Sequence, residues 1–138
     1  NENAVIPTYS KDGDAGMDLV AISKTNDEYG NIVYGTGLAF EIPKGYVGLL
    51  FPRSSNAKKD LILSNSVGVL DSGYRGEVML KFKNTITASG QYFECDTYNI
   101  KDRIGQLIII PYPKIEFEEV EELSETERGN GGYGSTGN

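Results

Sequence analysis

The sequence predicts an all-β sandwich or barrel, on three observations. Short apolar or alternating runs rich in Val, Ile, Leu, Tyr and Phe recur along the chain. Gly, Pro, Asn and Asp punctuate them, with 17 glycines among 138 residues. Helix signals are confined to one stretch, "SSNAKKDL" at 54–61, where Ser54 or Ser55 is placed to cap a turn or two. In order, the expected strands are "AVIP", "GMDLVAIS", "NIVYG", "GLAFEIP", "YVGLLFP", "LILSNSVGVL", "EVMLKFKN", "RIGQLIIIPYP" and "KIEFEEV". Each is bounded by residues that favour turns over ladders. A chain of this length buries one core without disulfides or a structural metal. It divides into a single β domain over 1–124 and a glycine-rich tail over 125–138, with the acidic run "EFEEVEELSETE" (116–127) as solvated strand and linker between them.

Composition removes several classes of function. Thirteen Lys and Arg against 20 Asp and Glu give a net charge of -7, which opposes sequence-independent binding to nucleic acid or an anionic membrane. Any phosphate must be bound locally. The chain has no histidine, which excludes Ser-His-Asp and Cys-His catalysis and His-ligated zinc. Chemistry is left to carboxylates, arginines, hydroxyls, backbone amides and a hard metal. The single cysteine, Cys95, reads as a small apolar filler suited to a reducing compartment. The longest apolar run, 104–112, is too short to cross a bilayer, and "NENAVIPTYS" lacks the features of a signal peptide, so a cytoplasmic location is expected.

Five islands of polar residues interrupt the β pattern: "DAGMDL", "PRSSNAKK", "NSVGVLDSGYRGE", "DRIGQ" and the tail. Asp18 is a strand-end turn former or a metal contact. Arg53, Ser54 and Ser55 offer a guanidinium fork, hydroxyls and helix-start amides suited to a phosphate, although helix capping explains the serines equally well. "VLDSGYRG" looks like a hairpin whose Asp-Ser-Gly turn needs glycine at positive φ, with Asp71 closing the turn or serving chemistry. Arg103 and Gln106 sit where a charge is often only protection of a strand edge. The tail "RGNGGYGSTG" is either a frayed end or a lid: its glycines let backbone amides turn inward around an anion, Arg128, Ser135 and Thr136 add donors, and Tyr133 adds a stacking face.

Taken together and in this order, "AGMDL", "PRSS", "GVLDSGYRGEV", "RIGQLI" and "RGNGGYGSTG" resemble the five motifs of the homotrimeric dUTP pyrophosphatases across nearly the whole chain. The resemblance implies a distorted β jelly roll of the β-clip type with one short helix, a flexible tail, and a homotrimer whose three active sites each draw on more than one subunit. It implies hydrolysis of dUTP to dUMP and pyrophosphate, lowering dUTP and supplying dUMP for thymidylate synthesis. Asp71 matches the aspartate that orients and deprotonates the water attacking the α-phosphorus. A carboxylate ionised at neutral pH is a weak base but a firm acceptor, so positioning and charge neutralisation carry most of the rate. Tyr74 matches the tyrosine packed under the deoxyribose, which leaves no room for a 2′-hydroxyl.

Asn65 and the backbone near Gly68, Val69, Leu70 and Met79 match the uracil slot, closed by shape to the methyl of thymine. Cytosine would leave buried polar groups unpaired at ~1–3 kcal/mol each. Arg53, Ser54 and Ser55 match the phosphate group of the second motif, Ser55 more safely through its amide because glycine is common there, and Gln106 also faces the phosphates. Asp18 matches the carboxylate that reaches Mg²⁺ through water. Arg128, Gly134, Ser135 and Thr136 would close on the γ-phosphate while Tyr133, where relatives often carry phenylalanine, stacks on uracil. Gly105 stands where alanine is frequent and reads as a harmless exchange.

Two other readings compete. dCTP deaminases and bifunctional deaminase/dUTPases share the fold and an "RSS" element, but the position of their proton-shuttling glutamate falls on Lys81, and their "DPG" turn is "DSG" here. A regulatory protein that keeps the fold as a partner-binding module should have lost an essential residue, yet Asp71, Tyr74, Arg53 and the tail are all present.

Overall fold

A computed structural model describes residues 1–85 and 95–132. Within them lie eight strands: β1 (Met17–Val20), β2 (Ser23–Asn26), β3 (Ile32–Gly35), β4 (Tyr46–Phe51), β5 (Leu61–Leu63), β6 (Gly68–Leu70), β7 (Met79–Asn84) and β8 (Arg103–Pro111). A single 3₁₀ helix occupies Ser54–Lys58. Two antiparallel four-stranded sheets result, one in the order β1-β8-β4-β6 and the other β2-β3-β7-β5. Period-two alternation supplies the shared core. In β7, Leu80 and Phe82 turn inward while Met79, Lys81 and Lys83 stay outside, and Leu19, Leu50, Ile104 and Leu107 close the core from the first sheet. The all-β architecture is as predicted, and no helix among the described residues is long and apolar enough to cross a membrane.

One buried hydroxyl ties the sheets to the irregular segments. Tyr34, on β3, is fully buried against Phe82 and Tyr98 in edge-on contacts at 5.8 and 5.9 Å. Its Oη donates to the Tyr98 carbonyl (3.0 Å) and accepts from the Tyr98 amide (3.1 Å). Burial pushes both phenols up, which keeps them protonated donors. Tyr98 Oη in turn donates to Asn56 Oδ1 (3.0 Å), and Asn56 Nδ2 donates to the Leu61 carbonyl (2.8 Å), so the 3₁₀ helix is moored to the core by its third residue.

Several expected elements differ. "AVIP", "GLAFEIP" and "KIEFEEV" form no strand. In "GLAFEIP", Gly37 takes φ +68° and the chain satisfies itself bond by bond, as in Val78 N–H to the Leu38 carbonyl (2.8 Å), while Ile42 is buried and Leu38 and Phe40 pack on the core. "KIEFEEV" runs exposed after β8, with Phe117 98% accessible, because no strand among the described residues lies beside it. "LILSNSVGVL" is two strands, broken at Ser66 with φ 61°, and its halves join opposite sheets. "VLDSGYRG" is not a hairpin: β6 pairs with β4 and β7 with β3 and β5, so the segment crosses between sheets. Its turn closes by Tyr74 N–H to the Asp71 carbonyl (3.0 Å) without positive φ at Gly73. Neither serine caps the 3₁₀ helix, whose N-cap is Arg53 without a side-chain capping bond.

Gly105 is a packing requirement and not a harmless exchange. On β8, a Cβ there would collide with the Leu80 side chain and come within 2.9 Å of the Phe51 carbonyl, a backbone atom that cannot swing away. We expect Gly105→Ala to lower stability by about 1–3 kcal/mol; an unchanged urea midpoint would show that β4 and β8 separate freely at this point.

Candidate functional site

Both crossovers, β5 to β6 and β6 to β7, leave the same gap between the sheets, and a cavity of about 320 Å³ fills it. Its floor is apolar, from Leu50, Leu70 and Val78, and its polar wall carries Ser64, Asn65 and Lys81. Gly68 allows the closeness: it pairs with Leu50 across β4 and β6, and a Cβ would stand 2.9 Å from the Leu50 Cβ. Tyr74 lies at the mouth, half exposed, its Oη donating to the Glu77 carbonyl (3.0 Å). Gly76 makes room for that ring, since a Cβ there would strike it. Asn65, Gly68, Val69, Leu70, Tyr74 and Met79 therefore line one cavity. Asp71 follows Leu70 directly, is exposed, and its carboxylate makes no hydrogen bond or ion pair among the described residues.

A second, polar cavity of about 430 Å³ gathers Asp18, Arg53, Ser54, Arg103 and Gln106, with Thr8, Ser10 and Asp14 at its rim. Asp18 is its hinge: Oδ1 accepts from Arg53 Nε (2.7 Å) and Oδ2 from Arg103 Nη1 (3.2 Å). The β ladder explains the meeting, because Asp18 on β1 stands opposite Gln106 on β8, which stands opposite Phe51 on β4, two residues before Arg53. Gln106 Nε2 donates to the Pro52 carbonyl (3.3 Å), and Arg53 Nη1 reaches Ser55 Oγ at 3.4 Å. No group of three or more Cys, Asp or Glu able to hold a metal occurs among the described residues. A carboxylate already bonded through both oxygens fits a metal reached through water on an anionic ligand, and not one held by the protein directly.

The two cavities meet along the chain at the end of β4. Leu50 borders the first and Arg53 the second, and three residues of extended chain span at most about 10 Å. Arg128 bonds within its own turn, Nε to the Gly131 carbonyl (2.9 Å), and Gly129 takes φ +50°. Tyr133, Gly134, Ser135 and Thr136 lie outside the described residues. Sequence reasoning missed Ser64 and Glu77 at the first cavity and Thr8, Ser10 and Asp14 at the second, and weighed Lys81 only against a deaminase. Asp14 and Glu77 lie inside the polar islands "DAGMDL" and "NSVGVLDSGYRGE" without being singled out, and nothing local marks Thr8, Ser10 or Ser64, whose placement depends on which sheet each flanking strand joins.

An apolar slot ending one residue before Asp71, beside a polar cavity with an Arg-Ser element, offers one site for an apolar ring and another for an anion on a β scaffold. The chain belongs to the dUTPase family, whose model matches residues 2–137. It is 43% identical over 99% of its length to a deoxyuridine 5′-triphosphate nucleotidohydrolase of Nautilia profundicola, covering 94% of that protein, and 38% identical over 96% to that of Escherichia phage T5, covering 91%. Among solved structures, a dUTPase of Staphylococcus bacteriophage 80alpha with dUpNHpp superposes with a TM-score of 0.83 at 30% identity, covering 99% of this chain and 94% of that one. A dUTPase from phage phi11 of S. aureus, described for its coordination of a structural Mg(II) ion, gives 0.73 at 32% identity, with coverages of 88% and 93%.

The Asp18 cluster sits at the surface, where ion pairs stabilise little. We expect Asp18→Asn to change unfolding free energy by no more than about 1 kcal/mol; a loss several times larger in urea titration would mean that the cluster holds the sheet together and is not reserved for a ligand.

Proposed function

We propose that this chain hydrolyses dUTP to dUMP and pyrophosphate, with uracil in the crossover cavity and the phosphates towards the Asp18–Arg53 cluster. The observation that carries the reading is the convergence of Asn65, Gly68, Val69, Leu70, Tyr74 and Met79 on one slot whose next residue is Asp71. With its carboxylate unpaired, Asp71 is available to accept from the attacking water, orient it at the α-phosphorus and take its proton. Tyr74, held across the hairpin-like crossover by the Glu77 carbonyl, supports the deoxyribose from below and refuses a 2′-hydroxyl. Arg53, with Ser54 and the Ser55 amide, binds phosphate oxygens, and Gln106 adds a donor.

Mg²⁺ bound to the triphosphate would supply charge neutralisation, with Asp18 reaching one of its waters. Arg128, Gly134, Ser135 and Thr136 close over the γ-phosphate, and Tyr133 stacks on the base, excluding bulk water. The active assembly is a homotrimer in which sites draw on more than one subunit. The arm after β8 supports this, because Ile115, Phe117, Val120 and Leu123 stay more than half exposed in the single chain and need a second copy to cover them. Lys81, on the wall of the slot, speaks against deamination: an ammonium cannot shuttle a proton as the deaminase glutamate does.

Incubation with Mg²⁺ and, separately, dUTP, dCTP, dTTP and UTP tests the reading. Nucleoside monophosphate and pyrophosphate should appear from dUTP alone, and ammonia from dCTP would replace the proposal with a deaminase. Asp71→Asn should keep nucleotide binding and lose turnover by 10²-fold or more, on the scale of general-base contributions; near-normal kcat would remove Asp71 from the mechanism. Truncation after Glu127 should leave the melting temperature within about 2 °C, because residues 128–132, the described part of the tail, include no buried residue, and should cripple hydrolysis. Full activity in the truncated chain would end the lid assignment.

A further inference from the structure

The 3₁₀ helix that follows Arg53 buries none of its five residues and carries no side-chain cap, so neither packing nor capping fixes it. Asn56, its third residue, engages all of its polar groups instead. Its amide donates to the Arg53 carbonyl and its carbonyl accepts from the Lys59 amide, both at 2.9 Å, which closes the turn around Ser54 and Ser55. Its side chain binds outside the turn. Nδ2 donates to the Leu61 carbonyl (2.8 Å), and Oδ1 accepts from the Oη of Tyr98 (3.0 Å), a residue only 3% exposed. A carbonyl only accepts, so the Leu61 contact fixes the orientation of the amide group and makes the phenol the donor. The flanks of the helix are held separately. Phe51 stands opposite Gln106 at the end of β4, and Lys59 Nζ donates to Asp96 Oδ1 (2.6 Å). The Asp60 N–H bonds the Asp96 carbonyl (3.0 Å), and the Asp96 N–H bonds Asp60 Oδ2 (2.7 Å). The bond from Tyr98 to Asn56 therefore sets the helix, and not the chain on either side of it.

Resting on the dUTPase reading above, we propose that Tyr98 and Asn56 are positioning residues for the triphosphate, acting through Ser55 on the plane of the Arg53 guanidinium. That plane has two supports: Nε on Asp18 Oδ1 of β1 (2.7 Å), and Nη1 at 3.4 Å from Ser55 Oγ. The first fixes one nitrogen and leaves the plane free to turn about it. The second stops the turn, and Ser55 is the residue before Asn56. A guanidinium grips phosphate oxygens as a fork only when its plane is set. A helix that shifts thus costs the second support while the charge and the Asp18 pair remain. Neither Tyr98 nor Asn56 borders the slot or the polar cavity, which places both outside direct contact with the nucleotide.

Inhibition of dUTP hydrolysis by dUpNHpp, which carries a triphosphate chain, and by deoxyuridine, which carries no phosphate, reads this in the full-length protein with Mg²⁺. In Tyr98→Phe the ring stays against Tyr34 and Phe82 and only Oη is lost. KM for dUTP and the inhibition constant of dUpNHpp should each rise about tenfold, while the inhibition constant of deoxyuridine is unchanged. Asn56→Ala should do the same, and the double variant should be no weaker than Asn56→Ala alone, because each removes the same bond. Asn56 is half-buried and outside the core, so its variant decides the matter should Tyr98→Phe not fold. Equal losses for both inhibitors, or none for either, in folded protein would sink this inference and leave the dUTPase reading standing. Should the wild-type protein not hydrolyse dUTP, both fall together.

Discussion

The fold depends on the Tyr34 hydroxyl. Placed in the middle of the core, it bonds both the amide and the carbonyl of Tyr98, and so fastens a stretch of irregular chain as firmly as a ladder would. A buried phenol without those partners would carry an uncompensated polar group, and without the phenol the Tyr98 amide would lose its acceptor, while the Tyr98 carbonyl would keep only Lys24 Nζ (2.9 Å). From Tyr98 the constraint passes to Asn56 and hence to the 3₁₀ helix that follows Arg53. The Arg53–Ser55 element is therefore held in place from outside itself: a five-residue helix with no capping bond could not hold its own position.

The second determinant is topological. Strands β5, β6 and β7 alternate between the sheets, and a chain that changes sheets twice within about twenty residues cannot keep both layers in contact at that point. The slot is the space so created. It explains why glycine is needed at 68, where strands β4 and β6 approach, and at 76, where the tyrosine ring folds over the backbone. It also places the polar wall: Ser64, whose N–H still bonds the Lys81 carbonyl of β7 (2.9 Å), and Asn65 border the gap where the chain leaves β5 for the other sheet.

The same fact separates what was legible in the sequence from what was not. Strand positions follow local alternation, and β1, β3, β4, β7 and β8 fall within the runs that predict them. Motif residues were legible because their types are unusual for strand ends, as with Arg53 or Asp71. Pairing was not legible: "VLDSGYRG" has the composition of a hairpin, and only the partners of β6 and β7 reveal a crossover. Ser64 and Lys81 were hidden for that reason, since a serine at a strand end and a lysine on an outer face each carry no local signal. The exposed arm over 113–123 shows the converse, an alternating apolar pattern with no sheet to join among the described residues.

Charge divides the labour between the two cavities. The polar one sets two guanidiniums, Arg53 and Arg103, against two carboxylates, Asp14 and Asp18, for a formal sum of zero, inside a chain of net charge -7. A neutral cavity in an acidic protein has little general attraction for a polyphosphate, so a triphosphate must bring its own countercharge. A ligand that enters the apolar slot either satisfies the polar groups of Ser64, Asn65 and Lys81 on its wall or leaves them unpaired. Holding Arg53 by Nε on Asp18 cancels part of its charge and, with Nη1 at 3.4 Å from Ser55 Oγ, leaves Nη2 without a partner among the described residues.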